Sequence, residues 1–468
     1  MRKKHPLQIL LVFTMLFSMF SVSGIATGAA TSNFYNIVKA DGADPSVWKH
    51  TDGYYYSTVT TGGNVTLWRS KSISNLYTDP GKVIWTPASG TMYSSNIWAP
   101  EIQYINNAWY VYFAADNGNN NNHRMYALEN TSSDPFSGTW NFKGKVADPN
   151  NDRWAIDGVV LQNGSSLYFI WSGWEGTVND YQNIYIAPMS NPWTISGSRV
   201  KIASPVYSWE TNTTPRVNEG PQAYIRNGKV NLLYSASGSW TNGYCLGLVT
   251  ANASSNLLLA SSWSKQSSPI FQSANGVYGP GHNALVQSPN GTENWNIYHA
   301  ARWDGASWTR SVRAQKFTWN ADNTPNLGSP VSPNSPIALA AGDSAHDRYE
   351  AEQAVVHNAQ IQTLSNTSGG QGVGHIDFSD SYVEFTVNVP TAGKYRMTVR
   401  YDNGSNGWSS HQLSINGGAG TTLDYPDTKW GNWSNAHVAI QLNAGNNTIR
   451  FTKGSNYAQI DCIDIAPN

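Results

Sequence analysis

Three acidic residues in the first two thirds of the chain occupy comparable places, each at a turn that leads into a strand-like segment. Asp44 precedes a proline, Asp157 precedes a glycine, and Glu219 precedes a Gly-Pro pair. Any one of them alone is equally suited to capping backbone N–H groups. If the three share one cavity, they can hydrolyse a glycosidic bond: one carboxyl stays protonated and donates its proton, a second is ionised and activates water, and a third adjusts the proton affinity of the first. For inversion, the acid and the base stand roughly 6.5–9.5 Å apart, so that water fits between base and sugar.

A repeat in the sequence indicates how these carboxylates meet. Residues 33–331 consist of short aromatic and β-branched runs separated by Gly, Asn and Asp, and five hairpins stand out among them. The hairpins begin near Asp44, Pro100, Asp157, Glu219 and His282, at intervals of 56, 57, 62 and 63 residues. A unit of about sixty residues with about four strands is typical of a propeller blade. We therefore predict an all-β protein with a five-bladed β-propeller, a long β-sandwich being the alternative, in which the first hairpins converge on a central funnel.

The start of the chain predicts a secretory signal over residues 1–30. Positions 2–4 are basic, residues 9–22 are mostly apolar but short for a membrane span, and Gly28-Ala29-Ala30 offers small residues for cleavage. A signal anchor that stays in the membrane is the alternative. We expect a secreted, extracellular protein.

The composition excludes several kinds of partner. The 468 residues include 29 basic and 30 acidic ones, so there is no strongly basic surface for nucleic acid, and beyond the signal nothing indicates a membrane partner. The 20 Trp and 25 Tyr suit contact with sugar faces, although many will fill a β-rich core. Cys245 and Cys462 are the only cysteines and fall in different predicted domains, which makes a disulfide framework unexpected. We expect a monomer without an organic cofactor.

A change of character near residue 331 divides the rest of the chain. The propeller is predicted over residues 31–331, and residues 332–347, rich in proline and small residues, are predicted to be a linker or a segment that closes the propeller. Residues 348–468 contain short strands at regular spacing, which is typical of a β-sandwich.

The turn motifs of the first region resemble those of glycoside hydrolase family 43, whose members are five-bladed inverting arabinanases, arabinofuranosidases and xylosidases. The motifs are Ala43-Asp44-Pro45-Ser46-Val47, Trp98-Ala99-Pro100-Glu101, Ile156-Asp157-Gly158, Asn218-Glu219-Gly220-Pro221 and Gly279-Pro280-Gly281-His282-Asn283. The resemblance implies that Asp44 is the general base, that Asp157 orients the acid and tunes its pKa, and that Glu219 is the general acid.

Four further residues are candidates for substrate contact. His282 begins the fifth hairpin near the predicted axis, where the resemblance implies a water-ligated ion, commonly calcium; a hydrogen-bonded structural histidine is the alternative. Arg313 resembles a late-strand arginine of the family that contacts the site, with a surface arginine as the alternative. Trp98 is the first candidate for stacking on sugar, and Trp174 is the second, for which core packing is equally open.

The C-terminal region resembles carbohydrate-binding modules of families 6 and 35, which implies a jelly-roll sandwich with a structural calcium. The motifs are Tyr349-Glu350-Ala351-Glu352, Ser368-Gly369-Gly370-Gln371-Gly372-Val373-Gly374, Gly393-Lys394-Tyr395, Leu442-Asn443-Ala444-Gly445-Asn446-Asn447-Thr448-Ile449 and Ile460-Asp461-Cys462-Ile463. Two glutamates two residues apart share one face of a strand, and such a pair needs a cation or an arginine. We expect Glu350, Glu352 and Asp461 to hold the calcium, a solvated acidic edge being the alternative.

The ligand of this module is expected at its loops. Trp430 and Trp433 are the candidates for sugar contact, with Asn456 as a hydrogen-bonding partner. His375 stands where many such modules have a tyrosine, which leaves the usual aromatic pair incomplete.

Together these observations predict a secreted hydrolase of plant cell-wall polysaccharide, either arabinan, arabinoxylan or xylan. Within the resemblance we favour an exo-α-L-arabinofuranosidase that releases L-arabinofuranose. A β-xylosidase or an endo-α-1,5-arabinanase on the same scaffold is one alternative. A non-catalytic polysaccharide-binding protein is the alternative from another class.

Overall fold

The computed structural model describes residues 28–468, in which nearly all regular elements are β-strands. The helical elements of this range are four short 3-10 helices, at Asn120–Asn122, Ser208–Glu210, Ala260–Ser262 and Ala351–Gln353. No helix in residues 28–468 is long and apolar enough to span a membrane. The predicted signal over residues 1–30 lies outside the described residues except for its last three, of which Ala29 and Ala30 open a strand, Ala29–Thr31.

Five antiparallel units follow one another along residues 46–326, and we number them as blades 1 to 5; a short parallel pairing of residues 181–182 with 216–217 joins blades 3 and 4. Their strands, in chain order, are Ser46–Lys49, Tyr55–Thr58, Val65–Ser70 and Lys82–Trp85 in blade 1; Ser95–Ile105, Ala108–Asp116, Arg124–Asn130 and Asn141–Val146 in blade 2; Ala155–Asn163, Ser166–Trp174, Tyr181–Asn191, Thr194–Ile195 and Val200–Ala203 in blade 3; Arg216–Arg226, Lys229–Ala236, Cys245–Asn252 and Trp263–Lys265 in blade 4; and Tyr278–Gln287, Asn294–Ala301, Arg310–Trp319 and Pro325–Asn326 in blade 5.

The blades form a closed ring. The first strand of each blade contacts the first strand of the next, and that of blade 5 contacts that of blade 1. A separate hydrophobic cluster fills the space between each pair of neighbouring blades, including blades 5 and 1. Middle strands of the blades are covered on both faces and are mostly apolar, as in Ala108–Asp116, where every residue is buried. The predicted five-bladed propeller is confirmed, and its first strands line the axis.

The N-terminal segment attaches to the last blade. The backbone N–H of Val38 donates to Val312 O at 2.9 Å, and the Val312 N–H donates to Lys39 O at 2.9 Å. This segment therefore flanks the third strand of blade 5. Within residues 332–347, predicted as a linker or closing segment, Pro336–Ala338 lies antiparallel to Asn33–Tyr35 of the N-terminal segment.

The C-terminal region is a two-sheet β-sandwich, which we call the module. One sheet contains His346–Glu350, Gln360–Thr363, Gln371–Gly374, Gly393–Asp402, Ser434–Leu442 and Gln459–Pro467, joined by Ala29–Thr31; the other contains Val355–His357, Tyr382–Val389, Ser409–Ile415, Thr421–Tyr425 and Gly445–Lys453. Inward-facing residues of both sheets form a single hydrophobic core. The predicted β-sandwich is confirmed.

Candidate active site

A cavity of about 470 Å³ opens at the end of the propeller where the first strands begin, and residues of all five blades line it. Asp44, Asp157 and Glu219 are all among the lining residues. A second cavity, of about 400 Å³, lies at the opposite ends of the same five strands and contains none of the three carboxylates. The structure therefore brings the three predicted carboxylates to one site at the cavity end of the axis.

A repeated backbone irregularity positions these side chains. Each blade has a residue with positive φ just before its first strand or in the first half of that strand: Asp44 at 56°, Ala99 at 40°, Asp157 at 56°, Gly220 at 54° and His282 at 42°. In blades 2 to 5 the pairing with the second strand shifts register at the same place. Such bulges bend a strand and re-aim its side chains. The irregularity turns the start of each first strand toward the axis.

Asp44 is held as a carboxylate by three groups. The Thr60 hydroxyl donates to Asp44 Oδ2 at 2.6 Å, and Arg310 Nη1 donates to Oδ1 at 3.2 Å. The backbone N–H of Asp44 donates to His299 Nδ1 at 2.9 Å, so this nitrogen carries no proton. Burial alone would raise the pKa of Asp44, but the Arg310 guanidinium and the positive charge of His282, whose Nδ1 lies 3.6 Å from Oδ1, hold it well below its ordinary value. Asp44 is therefore ionised at neutral pH.

Glu219 has the opposite electrostatics. Burial, followed by the charge of Asp157, raises the pKa of Glu219 to about 8, although the Tyr244 hydroxyl donates to Oε1 at 2.8 Å and opposes the shift. Asp157 accepts the backbone N–H of Gly220 on Oδ2 at 2.8 Å, which joins the two neighbouring blades. Burial raises the pKa of Asp157 to about 6, with the positive ring of His282 opposing. At neutral pH Glu219 thus keeps its proton while Asp157 is mostly ionised.

His282 lies beneath the carboxylates and does not line the cavity, so the prediction that it contacts substrate is wrong. Its Nε2 lies 2.8 Å from Glu101 Oε1, and its Nδ1 lies 3.6 Å from Asp44 Oδ1 and 3.9 Å from Asp157 Oδ2. Burial alone would lower the pKa of His282, but the hydrogen bond to Glu101 and the surrounding carboxylates raise it to about 10. A protonated imidazole has no lone pair for a metal, so direct ligation does not fit these contacts. An axial ion held through water stays a prediction.

The aromatic wall of the cavity differs in part from the prediction. Trp98 lines the cavity and stacks on His123 with ring centroids 4.1 Å apart. Trp174 is 2% exposed and packs behind Trp154, with centroids 4.9 Å apart, so Trp154 is the ring that reaches the cavity. Trp174 is therefore a core residue. Trp240 and Trp308 complete the wall from blades 4 and 5, and Trp308 is 59% exposed.

Arg310 replaces Arg313 as the arginine of the site. Arg313 is 1% exposed, donates to the Ala301 carbonyl and does not line the cavity. The two residues are three positions apart on one strand, and side chains of a strand alternate between its faces. An odd offset therefore sends them to opposite sides, and the prediction for Arg313 is wrong.

Several site residues lie beyond the reach of the sequence patterns used above. Tyr244 directly precedes the third strand of blade 4, His299 belongs to the second strand of blade 5, and their rings stack with centroids 5.5 Å apart. A Cβ on Gly281 would lie 2.2 Å from Tyr244 Cε1, which explains a glycine in the Gly-Pro-Gly turn. Glu101 could have been identified as a site residue from the sequence, because it ends the Trp98 motif at the start of blade 2. Knowing which strand each of these residues belongs to or adjoins does not predict the contacts they make.

The module brings its predicted acidic residues together. The Ser368 hydroxyl donates to Glu350 Oε2 at 2.5 Å and to Asp461 Oδ1 at 3.0 Å. A Cβ on Gly369 would lie 2.2 Å from Glu352 Oε1, and Glu352 Oε2 is buried without a hydrogen-bond partner. Burial, and then the charges of Asp461 and Glu352, raise the pKa of Glu350 to about 7.

This arrangement fits a hard cation. Oxygen ligands and unbalanced negative charge are what Ca²⁺ requires, and one carboxylate oxygen is left without a donor. Arg400 Nη1 also donates to Asp461, so that carboxylate is partly neutralised already. The glutamates do not share a strand face as predicted, since the strand ends at Glu350 and Glu352 belongs to the 3-10 helix Ala351–Gln353.

The predicted sugar-contacting residues of the module separate into two groups. Trp430 is 51% exposed, and His375 and Asn456 lie on loops at the same end of the sandwich. Trp433 is 2% exposed, and its Nε1 donates to Ser365 O at 3.0 Å, so it is a core residue and its prediction is wrong. Three exposed rings at this end were not predicted from the sequence: Phe378, Trp408 and Tyr457.

Comparisons with known proteins identify the families of both domains. Residues 35–325 match the family described as glycosyl hydrolases family 43, and residues 347–468 match carbohydrate binding module (family 35). An extracellular exo-alpha-(1->5)-L-arabinofuranosidase of Streptomyces avermitilis is 38% identical over 337 residues, which make up 69% of each chain. Alpha-L-arabinofuranosidase 43 of Humicola insolens is 33% identical over 381 residues, 79% of this chain and 77% of that one.

A solved structure is similar as well. The crystal structure of an alpha-L-arabinofuranosidase from Lactobacillus brevis has a TM-score of 0.61 and 35% identity, and the match covers 64% of this chain and 98% of that one. The chain therefore belongs to glycosyl hydrolases family 43 and carries a family 35 carbohydrate-binding module.

Proposed function

We propose that this protein is a secreted, inverting exo-α-L-arabinofuranosidase that releases L-arabinofuranose from arabinan or from arabinose-substituted polysaccharide. One observation carries the proposal: two carboxyl groups of one cavity have their pKa values pushed in opposite directions, Asp44 well below its ordinary value and Glu219 to about 8. Such a divergence assigns base and acid roles to the pair. The similar proteins of Streptomyces avermitilis and Humicola insolens are named as arabinofuranosidases.

In the proposed reaction Glu219 is the general acid. A carboxyl with a pKa of about 8 is mostly protonated at neutral pH and has a proton to donate. The proton goes to the glycosidic oxygen as the bond from that oxygen to the arabinose C1 breaks, and the remaining glycan leaves as an alcohol. Asp157 supports this step as a positioning residue, because its charge raises the pKa of Glu219 and it accepts the N–H of the following Gly220.

Asp44 is the general base. It takes a proton from a water molecule that attacks C1 from the face opposite to the leaving group, and the product therefore has inverted configuration. Thr60 fixes one carboxylate oxygen, and Arg310 keeps the group ionised by its charge. The indole faces at Trp98 and Trp154 offer flat apolar contact for the sugar ring.

The module gives the enzyme a second carbohydrate contact. We assign Glu350, Glu352 and Asp461 to a structural calcium, which stabilises the module and takes no part in hydrolysis. Calcium sites of extracellular modules have Kd values of about 10⁻⁴–10⁻³ M, so such a site suits a secreted protein. The extracellular assignment also draws on the name of the Streptomyces avermitilis relative.

The first experiment is a product profile on linear arabinan, arabinoxylan and xylan. We expect arabinose as the only early product from arabinan. Oligosaccharides from arabinan would indicate an endo-arabinanase instead, and xylose alone would indicate a β-xylosidase. Absence of any product, with binding to the polymers retained, would support the non-catalytic alternative.

A variant pair tests the acid. Glu219→Gln should lower the rate on arabinan by about 10²–10⁴-fold, because a glutamine has no proton to donate. The loss should be much smaller on an aryl arabinofuranoside whose phenol leaves without protonation. Glu175→Gln, whose side chain is 69% exposed and lies outside the cavity, is the control and should leave both rates unchanged. Equal losses on both substrates would remove Glu219 as the acid.

A further inference from the structure

The strand order shows which propeller loops share the cavity end. First strands begin at the cavity, so the loops between second and third strands return to that end, and the loops between third and fourth strands lie at the opposite end. In blade 5 the loop of residues 302–309 contains Trp308, which lines the cavity, and Trp303, five positions before it. This loop is therefore part of the cavity rim.

The module lies against the propeller from one end to the other. At the end away from the cavity, Lys394 Nζ lies 2.6 Å from Asp79 Oδ1, in the loop between the third and fourth strands of blade 1. At the cavity end, Arg302 Nη1 donates to Asp427 O at 3.5 Å, and the Lys429 ammonium lies 4.7 Å above the Trp303 ring. The module loop that contains Asp427 and Lys429, which we call the rim-contacting loop, therefore touches the rim of the cavity.

The module strand Gly393–Asp402 connects these two ends. Lys394 lies at its beginning, and Asp402 is its last residue. The Oδ2 atom of Asp402 accepts the N–H of Gly431 in the rim-contacting loop. The loops of residues 403–408 and 454–458 lie at this same end, because Ser410 and Ser455 are hydrogen-bonded across it. The exposed loops of the module and the mouth of the cavity therefore face the same direction.

Large rings cover this end of the module. Trp430 directly follows Lys429, is 51% exposed, and packs over Gly404, where a Cβ would lie 2.3 Å from the indole. Trp408 is 53% exposed, and Asn456 Nδ2 donates to its carbonyl at 2.7 Å. Exposed aromatic rings without a protein partner are suited to stacking on sugars.

The contact between the two domains is fixed by buried polar groups. Asn435 Nδ2 of the module donates to the carbonyls of Tyr35 and Ile37 at 2.8 and 2.9 Å. The Tyr35 ring lies between the guanidinium groups of Arg348 and Arg400, at 5.1 and 4.1 Å. These contacts hold the module loops at one position relative to the cavity.

We propose that a single glycan chain occupies the cavity and the module together. Its terminal arabinofuranose lies at the carboxylates, and the following sugars run over the rim at Trp308 and Trp303 onto Trp430. This proposal rests on the proposed function, since it takes the terminal sugar of an arabinan-type chain as the cleaved one. Two sites fixed in one protein make the second contact intramolecular, so affinity rises with chain length once the chain spans both.

The test measures kcat/KM for the wild type and Trp430→Ala on an aryl arabinofuranoside and on α-1,5-linked arabino-oligosaccharides of increasing length. We expect kcat/KM of the wild type to rise with length, and Trp430→Ala to lose about tenfold on the longest chains while the aryl substrate is unaffected. Leu259→Ala is the control, because Leu259 is a 50% exposed apolar side chain in the loop between the third and fourth strands of blade 4, at the end of the propeller away from the cavity. An equal loss in Leu259→Ala, or no dependence on length, would overturn the proposal.

A binding measurement separates one shared chain from two independent ones. Calorimetric titration of the Glu219→Gln protein with the longest oligosaccharide should give one ligand per protein, and Trp430→Ala in that background should weaken it without changing the stoichiometry. Two ligands per protein would mean that the module binds a separate chain. Failure of the wild type to cleave the aryl arabinofuranoside would contradict the proposed function instead, and the titration would still report on the shared chain.

Discussion

Replacing Tyr244 by phenylalanine tests how the cavity controls the proton of Glu219. The Tyr244 hydroxyl donates to Glu219 Oε1 at 2.8 Å, and both residues are buried. This donor favours the ionised carboxylate, so it keeps the pKa of Glu219 lower than burial and the charge of Asp157 alone would set it. Phenylalanine preserves the ring that stacks on His299 and removes only the donor.

The size of the effect follows from the two forms of the carboxyl. A hydrogen bond to a charged group contributes about 1.5–3 kcal/mol, and a neutral one contributes about 0.5–1.5 kcal/mol. Because protonated Glu219 still hydrogen-bonds with Tyr244, only the difference of about 1–1.5 kcal/mol acts on the pKa. At about 1.4 kcal/mol per pKa unit, Tyr244→Phe should raise the pKa of Glu219 by about one unit. Glu219 acts in its protonated form, so activity should extend to higher pH.

The assay is kcat/KM for an arabinoside between about pH 5 and pH 10, where the basic limb reports the acid of the free enzyme. We expect this limb about one unit higher than in the wild type. Tyr234→Phe is the control, since Tyr234 donates at 2.9 Å to Glu210, a buried carboxylate outside the cavity. A limb that moves to lower pH, or that moves equally in Tyr234→Phe, would refute the reasoning.

Two further outcomes check the base and the metal. Arg310→Met removes the cation that opposes the effect of burial on Asp44, so the pKa of Asp44 should rise and the acidic limb of kcat/KM should move to higher pH; a limb that stays in place would contradict this role. Calcium at about 100 times its Kd should stabilise the module by about 2.7 kcal/mol, so a chelator should lower the melting temperature of the full chain. Glu352→Gln should remove this dependence, and a calcium response unchanged in that variant would exclude Glu352 as a ligand.

The fold was predictable because it depends on patterns that repeat along the chain. The hairpin spacing predicted the blades, and the regularly spaced strand patterns of residues 348–468 predicted the sandwich, whose strands include Tyr382–Val389 and Gly393–Asp402. The attachment of residues 38 and 39 to blade 5 was not predictable, because this pairing joins segments separated by most of the propeller. Neither segment contains a local sequence signal that identifies the other as its pairing partner.

The same distinction holds for side chains. Sequence position alone could not separate Trp154 from Trp174, or Trp430 from Trp433, since each pair belongs to an aromatic-rich stretch near a strand end. Burial separates Trp433, which is 2% exposed, from Trp430, which is 51% exposed. Trp154 and Trp174 are both buried, and only the structure shows that Trp154 is the one that lines the cavity.

The sequence by itself determined the chemistry available to this protein: three carboxylates at turns in a regular repeat, delivered to one axis by the blades that contain them. Only the tertiary structure decided the protonation of each group, because a pKa depends on burial and on charges brought from other blades. Arg310 and His282 of blade 5 keep Asp44 ionised, while burial and the charge of Asp157 of blade 3 keep the proton on Glu219 of blade 4. The periodic sequence pattern specifies where each strand lies and which of its faces is buried. Which side chains of different blades meet at the axis is decided only when the blades close into a ring.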